Sequence, residues 1–188
     1  MRRASMTSRT LLLFIMLVYS ALELSPGHAR KPAVPPLAPR VVRQHFADAD
    51  HDCRIQRGRP IRRGHRDATY RFDFDGDGRR DWVIDEGKFL CDGAWSIYRG
   101  SQGDAQVLVY VVRRNGSAFL AFRHGALGLF HGANGKRIYI GVGGPLCGQR
   151  VTPATSRADM IRCRRPLVWN AAKSRVEFGP LSRILAED

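Results

Sequence analysis

The run Asp73-Phe74-Asp75-Gly76-Asp77-Gly78-Arg79-Arg80-Asp81 places carboxylates at loop positions 1, 3, 5 and 9 and a glycine at position 6. That spacing suits calcium, a hard cation that takes about six to eight oxygen ligands, because alternate residues of a tight loop point their side chains inward. Asp73, Asp75, Asp77 and Asp81 are the expected side-chain ligands; Arg79 would offer its backbone carbonyl, and water would complete the shell. Asp85 is a further candidate, through a water or from the neighbouring strand. An ion held this way is structural: it stiffens a turn and activates nothing. The competing reading is a metal-free turn in which Asp and Gly supply Asx-type hydrogen bonds. Four crowded carboxylates repel one another, so this second reading needs Arg71, Arg79 or Arg80 to neutralise them.

An EF-hand would place a bidentate Glu at position 12 and a helix on each side. Here position 12 is Ile84 and the flanks YRFDF and DWVID have strand texture, which argues against a helix-loop-helix sensor. Over residues 73–85 the segment resembles the calcium loops of FG-GAP and VCBS-type repeat proteins, whose D-x-[DN]-x-D-G-x-x-D motif runs into a strand. The resemblance implies the same four aspartate ligands. Without the bidentate Glu, the expected affinity is weak, about 10⁻⁴ to 10⁻³ M. A second alternating string, Asp48, Asp50 and Asp52, lacks the glycine at position 6 and reads as a polar helix end.

Cys53, Cys91, Cys147 and Cys163 allow three disulfide connectivities. Order along the chain favours Cys147 with Cys163, around a turn-rich stretch, and Cys53 with Cys91. No C-x-x-C pair exists, so a zinc site is a poor alternative. From Cys53 onward the order of features resembles a group of small secreted proteobacterial proteins of unassigned activity. These combine an upstream Cys, the aspartate loop, C-x-G, a late Cys pair and a W-N strand turn, here Cys53, residues 73–85, Cys91-Asp92-Gly93, Cys147 with Cys163, and Trp169-Asn170. The likeness spans residues 41–178 and implies export and fold more than activity. Where that group usually carries two further cysteines, this chain has Arg99 and Asp104, and the comparison suggests an ion pair in place of a covalent link.

Signatures of catalysis are sparse. G-x-S-x-G, H-E-x-x-H and Walker motifs are missing from the sequence. His124 and His131, in RHGALGLFHG, form the one histidine cluster that could serve as a base or metal pair. A spacing of seven does not set them side by side on one strand, and they read as loop residues near a hairpin. The glycine-rich 141–147 segment reads as a bend. Trp82, Trp95 and Trp169 read as core or edge-strand aromatics, with Trp95 the one that suits a carbohydrate or peptide surface.

The elements that must position these residues are mostly short β-like runs: 68–74, 82–85, 106–112, 117–123, 137–142, 167–170 and 175–178. The gaps between them leave no room for repeated crossover helices, so neighbours should pair antiparallel. Asn115-Gly116 and residues 170–174 supply hairpin turns. The pattern of Val41, Val42 and Phe46 predicts a short helix over 41–52. The expected fold is therefore mainly β (β-rich α+β), an antiparallel meander or small sandwich with a short N-terminal helix, stapled by disulfides.

Arg2, Arg3 and Arg9 precede an apolar run over 10–22 and small residues at Gly27 and Ala29, so residues 1–29 read as a signal peptide. The run is too short for a bilayer span, which needs about 20 residues. Residues 30–40, with four prolines, read as a stiff spacer, and 41–188 as one β-rich domain. At 188 residues and 44% hydrophobic, the chain supports a single packed core. Its net charge of +14 is almost all arginine, scattered as short pairs without a nucleic-acid motif. The composite expectation is a periplasmic or secreted, calcium-binding, non-catalytic domain of the bacterial envelope, facing an anionic envelope polymer or a protein. It has no specific nucleic-acid partner and no membrane span after cleavage. Two alternatives stand beside it: a periplasmic hydrolase or wall-modifying enzyme using acidic loop residues or His124 and His131, and a basic polyanion binder.

Overall fold

The computed structural model describes residues 38–100, 103–132 and 135–186. The expected signal peptide, and all but the last three residues of the expected spacer, lie outside them. Helix α1 spans Arg40–Ile55 and begins directly after Pro39. Val42, Phe46, Ala49 and Cys53 recur at helical spacing and form its buried stripe. It outruns the expected 41–52 because its end is closed by backbone geometry. Arg57 takes a left-handed φ of 58°. The N–H groups of Arg57 and Gly58 then donate to the carbonyls of Arg54 and Cys53, the bond pattern of a Schellman cap.

Eleven strands follow among the described residues: β1 Arg59–Ile61, β2 Thr69–Phe72, β3 Asp81–Asp85, β4 Leu90–Asp92, β5 Ala105–Val112, β6 Ala118–Ala126, β7 Gly128–His131, β8 Ile138–Gly143, β9 Arg162–Asn170, β10 Arg175–Phe178 and β11 Leu185–Ala186. A short helix, α2, covers Arg62–Asp67. Every strand pairing is antiparallel. The first sheet has the order β2-β3-β5-β6; the second has β10-β9-β8-β7 with β11 also on β9; β1 and β4 make a separate ribbon.

The layers follow from side-chain alternation. Val83 on β3 and Val107, Val109 and Val111 on β5 point toward the second sheet, where they meet Ile138, Ile140, Val142, Leu167 and Val176. Trp82, Ile84, Leu108 and Tyr110, one residue out of phase, face α1 and pack on Val42, Phe46 and Ala49. The first sheet is thus covered on both faces, which is why QVLVYVV is a continuous apolar run. The result is a two-sheet sandwich with a helix on one outer face, mainly β and disulfide-stapled as expected. The bridges are Cys53–Cys91 and Cys147–Cys163.

Several boundaries differ from those the sequence suggests. β6 is an edge strand of the first sheet. Its pairing with β5 shifts register between Val109 and Tyr110, so Ala121 is left over between Leu120 and Phe122. RHGALGLFHG is not a loop: His124 lies within β6 and His131 closes β7. β9 starts at Arg162, five residues before the expected strand. Its Pro166 sits where β9 exchanges one partner for another, at the last pairing with β8 and just before pairing with β10 begins at Leu167. At the β5–β6 turn only Gly116 takes positive φ; Asn115 contributes its side chain, accepting from the Ser117 N–H at 3.0 Å.

Candidate metal centre

The aspartate loop is the connection between β2 and β3, so its ends are fixed by the hydrogen bonds of that hairpin, from Thr69 opposite Ile84 to Phe72 opposite Asp81. Gly76 and Gly78 take φ of 76° and 84°, the left-handed region in which a side chain is strained. With the chain turned at these two points, Asp73 curls back over its own loop. One of its oxygens accepts from the Gly76 N–H at 2.8 Å and the other from the Gly78 N–H at 3.0 Å. Asp75 accepts from the Asp77 N–H at 3.3 Å. At the far end Asp81 is fully buried. Its Oδ2 accepts from Phe74 N–H and its Oδ1 from Val112 N–H, each at 2.9 Å, tying the loop to β5.

These constraints bring carboxylate oxygens of Asp73, Asp75 and Asp81 within 4.8 Å of one another. Asp77, expected as a fourth ligand, lies outside that group. Its Oδ1 accepts from the Arg79 N–H at 2.8 Å and its Oδ2 is paired with the Arg79 guanidinium. Arg79, the expected carbonyl ligand, pairs its guanidinium with Asp77. Arg71 does not reach the carboxylates: it donates to the backbone carbonyls of Asp81 and Arg80 and lies over the Trp82 ring at 4.1 Å. Asp85 stands at the opposite end of β3, where its Oδ1 accepts from the Gly87 N–H at 3.0 Å and caps the 3₁₀ turn Glu86–Lys88; it is no part of the cluster.

The electrostatics carry the same message. Burial pushes the Asp81 carboxyl above its ordinary value, against the two backbone donors that lower it, and repulsion from Asp75 and Asp73 adds to the rise. Asp75 is also raised, first by desolvation and then by repulsion from Asp77 and Asp73. Desolvation is the largest cause of both shifts, and the concentrated negative charge of the loop adds to each. A divalent cation bound by oxygen ligands would balance that charge, so the donor set fits such an ion, with three side chains in place of four. The same loop also forms the Asx-type bonds of a plain turn, and the two roles are compatible because a carboxylate oxygen can accept an N–H and still face an ion.

The other sequence candidates are dispersed. His124 stacks on Phe122 and meets Phe178 edge to face, and its Nδ1 lies 2.6 Å from the Gly125 carbonyl, whereas His131 lies against Tyr70 at 4.9 Å between ring centroids. Among the described residues no carboxylate pairs with either ring, and all four thiols are in disulfides. Arg99 donates to the Gly87 carbonyl at 2.5 Å instead of pairing with Asp104. Two features went unnoticed in the sequence. Asp50, read as part of a polar helix end, faces the buried His65 at 2.9 Å. Asp104 and His124, with Arg157 and Arg162, open on one cleft. No motif marks either, since both join residues from separate elements.

No protein-family model matches the chain, and neither a curated protein nor a solved structure matches it. The loop geometry therefore stands on its own residues. Among the described residues no helix is long and apolar enough to cross a membrane. The two disulfides fit an oxidising compartment, extracellular or periplasmic.

Proposed function

We propose that this is an exported, non-catalytic β-sandwich domain that binds calcium at the β2–β3 loop, through Asp73, Asp75 and Asp81, and uses the ion to stiffen that hairpin against β5. The observation that carries the reading is the convergence of three carboxylates, two of which are raised first by desolvation and then by repulsion from neighbouring aspartates. The loop resemblance to FG-GAP and VCBS-type repeats supports it, and the disulfides suit the compartment in which millimolar calcium is available. A bound ion would supply only electrostatic cross-linking.

Differential scanning calorimetry with calcium and then EGTA tests this. With calcium at about ten to a hundred times Kd, mass action should add about 1–3 kcal/mol, a rise in Tm of roughly 3–10 °C. Asp75→Asn should abolish the response. Asp77→Asn should leave most of it, because Asp77 is held by Arg79 and stands apart from the cluster. Equal midpoints in calcium and EGTA would reduce the loop to a turn.

A further inference from the structure

A cleft of about 380 Å³ lies where the end of β6 meets the end of β8, roofed by the segment between Cys147 and Cys163. Its walls are largely apolar, with Leu146 from the 3₁₀ turn Gly144–Cys147 and Met160 from the roof. Two arginines, Arg157 and Arg162, line it together with His124 and one acidic residue, Asp104. Neither arginine has an acidic partner among the described residues.

The roof is irregular but held in place. The Cys147–Cys163 bridge fixes Leu146 next to the start of β9, one residue from Arg162. Between these ends the Gln149 side chain spans the segment: its Nε2 donates to the Asp159 carbonyl and its Oε1 accepts from the Ile161 N–H, both at 2.9 Å. Ser156 caps the 3₁₀ turn Arg157–Asp159. Long connections without regular structure that are nonetheless pinned are commonly binding loops, and this one presents Arg157 and Met160 to a preformed cavity.

We propose that this cleft binds a small amphipathic anion: a carboxylate, sulfate or phosphate head seated between Arg157 and Arg162, with a short acyl or aryl body against Leu146 and Met160. A guanidinium presents a planar fork that matches such oxyanions, and the excess of cations over Asp104 selects against an amine head. At the roughly 30 Å³ that a water occupies in the liquid, the volume accommodates about a dozen non-hydrogen atoms, the size of a medium-chain acid.

Titration of the disulfide-intact chain with octanoate, octyl sulfate and octylammonium, followed by calorimetry and by amide NMR shifts, tests the assignment. The expected result is that both anions bind, shifting resonances of 124–126, 141–146 and 157–162, while octylammonium does not. The exposed pair Arg157→Gln, Arg162→Gln should weaken octanoate binding by about tenfold or more, the loss expected when charge-assisted bonds become neutral. Arg113→Gln, Arg114→Gln, at the β5–β6 turn, serves as the control for the general basic field and should bind as the wild type does. Equal binding of the cationic probe, an equal loss in both arginine pairs, shifts confined to other parts of the surface, or the absence of binding at millimolar probe would each overturn the proposal.

Discussion

Asp81 shows how one side chain serves two ends. Its two oxygens satisfy the backbone N–H groups of Phe74 and Val112, in a fully buried position. Asp81→Ala would leave both donors unsatisfied and should cost about 2–5 kcal/mol, read as a lower urea midpoint in EGTA, whereas Asp81→Asn keeps one acceptor and should cost less. Gly78 is a cleaner probe of the turn itself. Nothing lies within 4 Å of a Cβ built there, so Gly78→Ala meets no clash and only the left-handed strain of about 1–2 kcal/mol, again visible as a lower midpoint. The glycines and aspartates of this loop were legible because their chemistry is local: a spacing of two and a required φ. The pairing of Asp77 with Arg79 was not, since the same carboxylate is as close in sequence to the other aspartates. Asp85 was misassigned for the same reason, because nearness along a strand says nothing about which end a side chain serves. Burial, more than any neighbour, raises its carboxyl above the ordinary value. Its carboxylate form is therefore the one that folding penalises, and stability falls as pH rises through the folded-state value. Asp85→Asn keeps an acceptor for Gly87 and should raise the neutral-pH Tm and remove this fall in stability as pH rises out of the acid range.

At the scale of elements, the Cys53–Cys91 bridge joins α1 to β4 and so fastens the helical layer to the rest of the domain. The helix approaches through Gly58: a Cβ there would stand 2.2 Å from Cys91 Sγ and 3.0 Å from Cys53 Sγ. Gly58→Ala should therefore impair oxidation, giving free thiols on the purified protein that thiol titration counts as two more than in the wild type. Losing this bridge, which closes a separation of 38 residues, should cost about 4 kcal/mol in the chain-entropy model, against about 3 kcal/mol for Cys147–Cys163 with its separation of 16. Elements with a continuous or alternating apolar pattern, β3, β5 and β10 among them, were readable in advance. Those missed, wholly or in their first half, lack such a pattern for identifiable reasons. β1 carries Pro60 and runs three residues, β7 opens on Gly128, and β9 carries an arginine pair and Pro166 before its apolar half. The end of α1 was hidden because an arginine occupies the position that glycine usually marks.

At the scale of the whole molecule, the charge of +14 has a partly structural origin. Arg71, Arg113, Arg164 and Arg165 lie over aromatic rings at 4.1–5.2 Å, and the buried Arg165 donates to the carbonyls of Leu146 and Gly179 rather than to an acid. Arginine here is a packing residue as much as a charge. Acidic residues are correspondingly scarce, and those that remain facing a histidine acquire influence over the assembly of layers. His65 is buried among Phe46 and Phe89 and faces Asp50 on α1, with His45 and Arg62 adding repulsion. Desolvation is the largest effect and lowers its value below 6.5, with Asp50 opposing it only in part. The folded state therefore resists a proton that the unfolded chain accepts. Stability from this site is fully present above about pH 6.5 and is lost as pH falls from there through the lower folded-state value. The site lies between α1 and α2, so the loss falls on the packing of these two helices. Urea midpoints measured from pH 8 to pH 5 should decline more steeply in the wild type than in His65→Gln, which keeps a donor for Asp50 but cannot be protonated. Parallel curves would show that the helical layer is held by apolar packing alone.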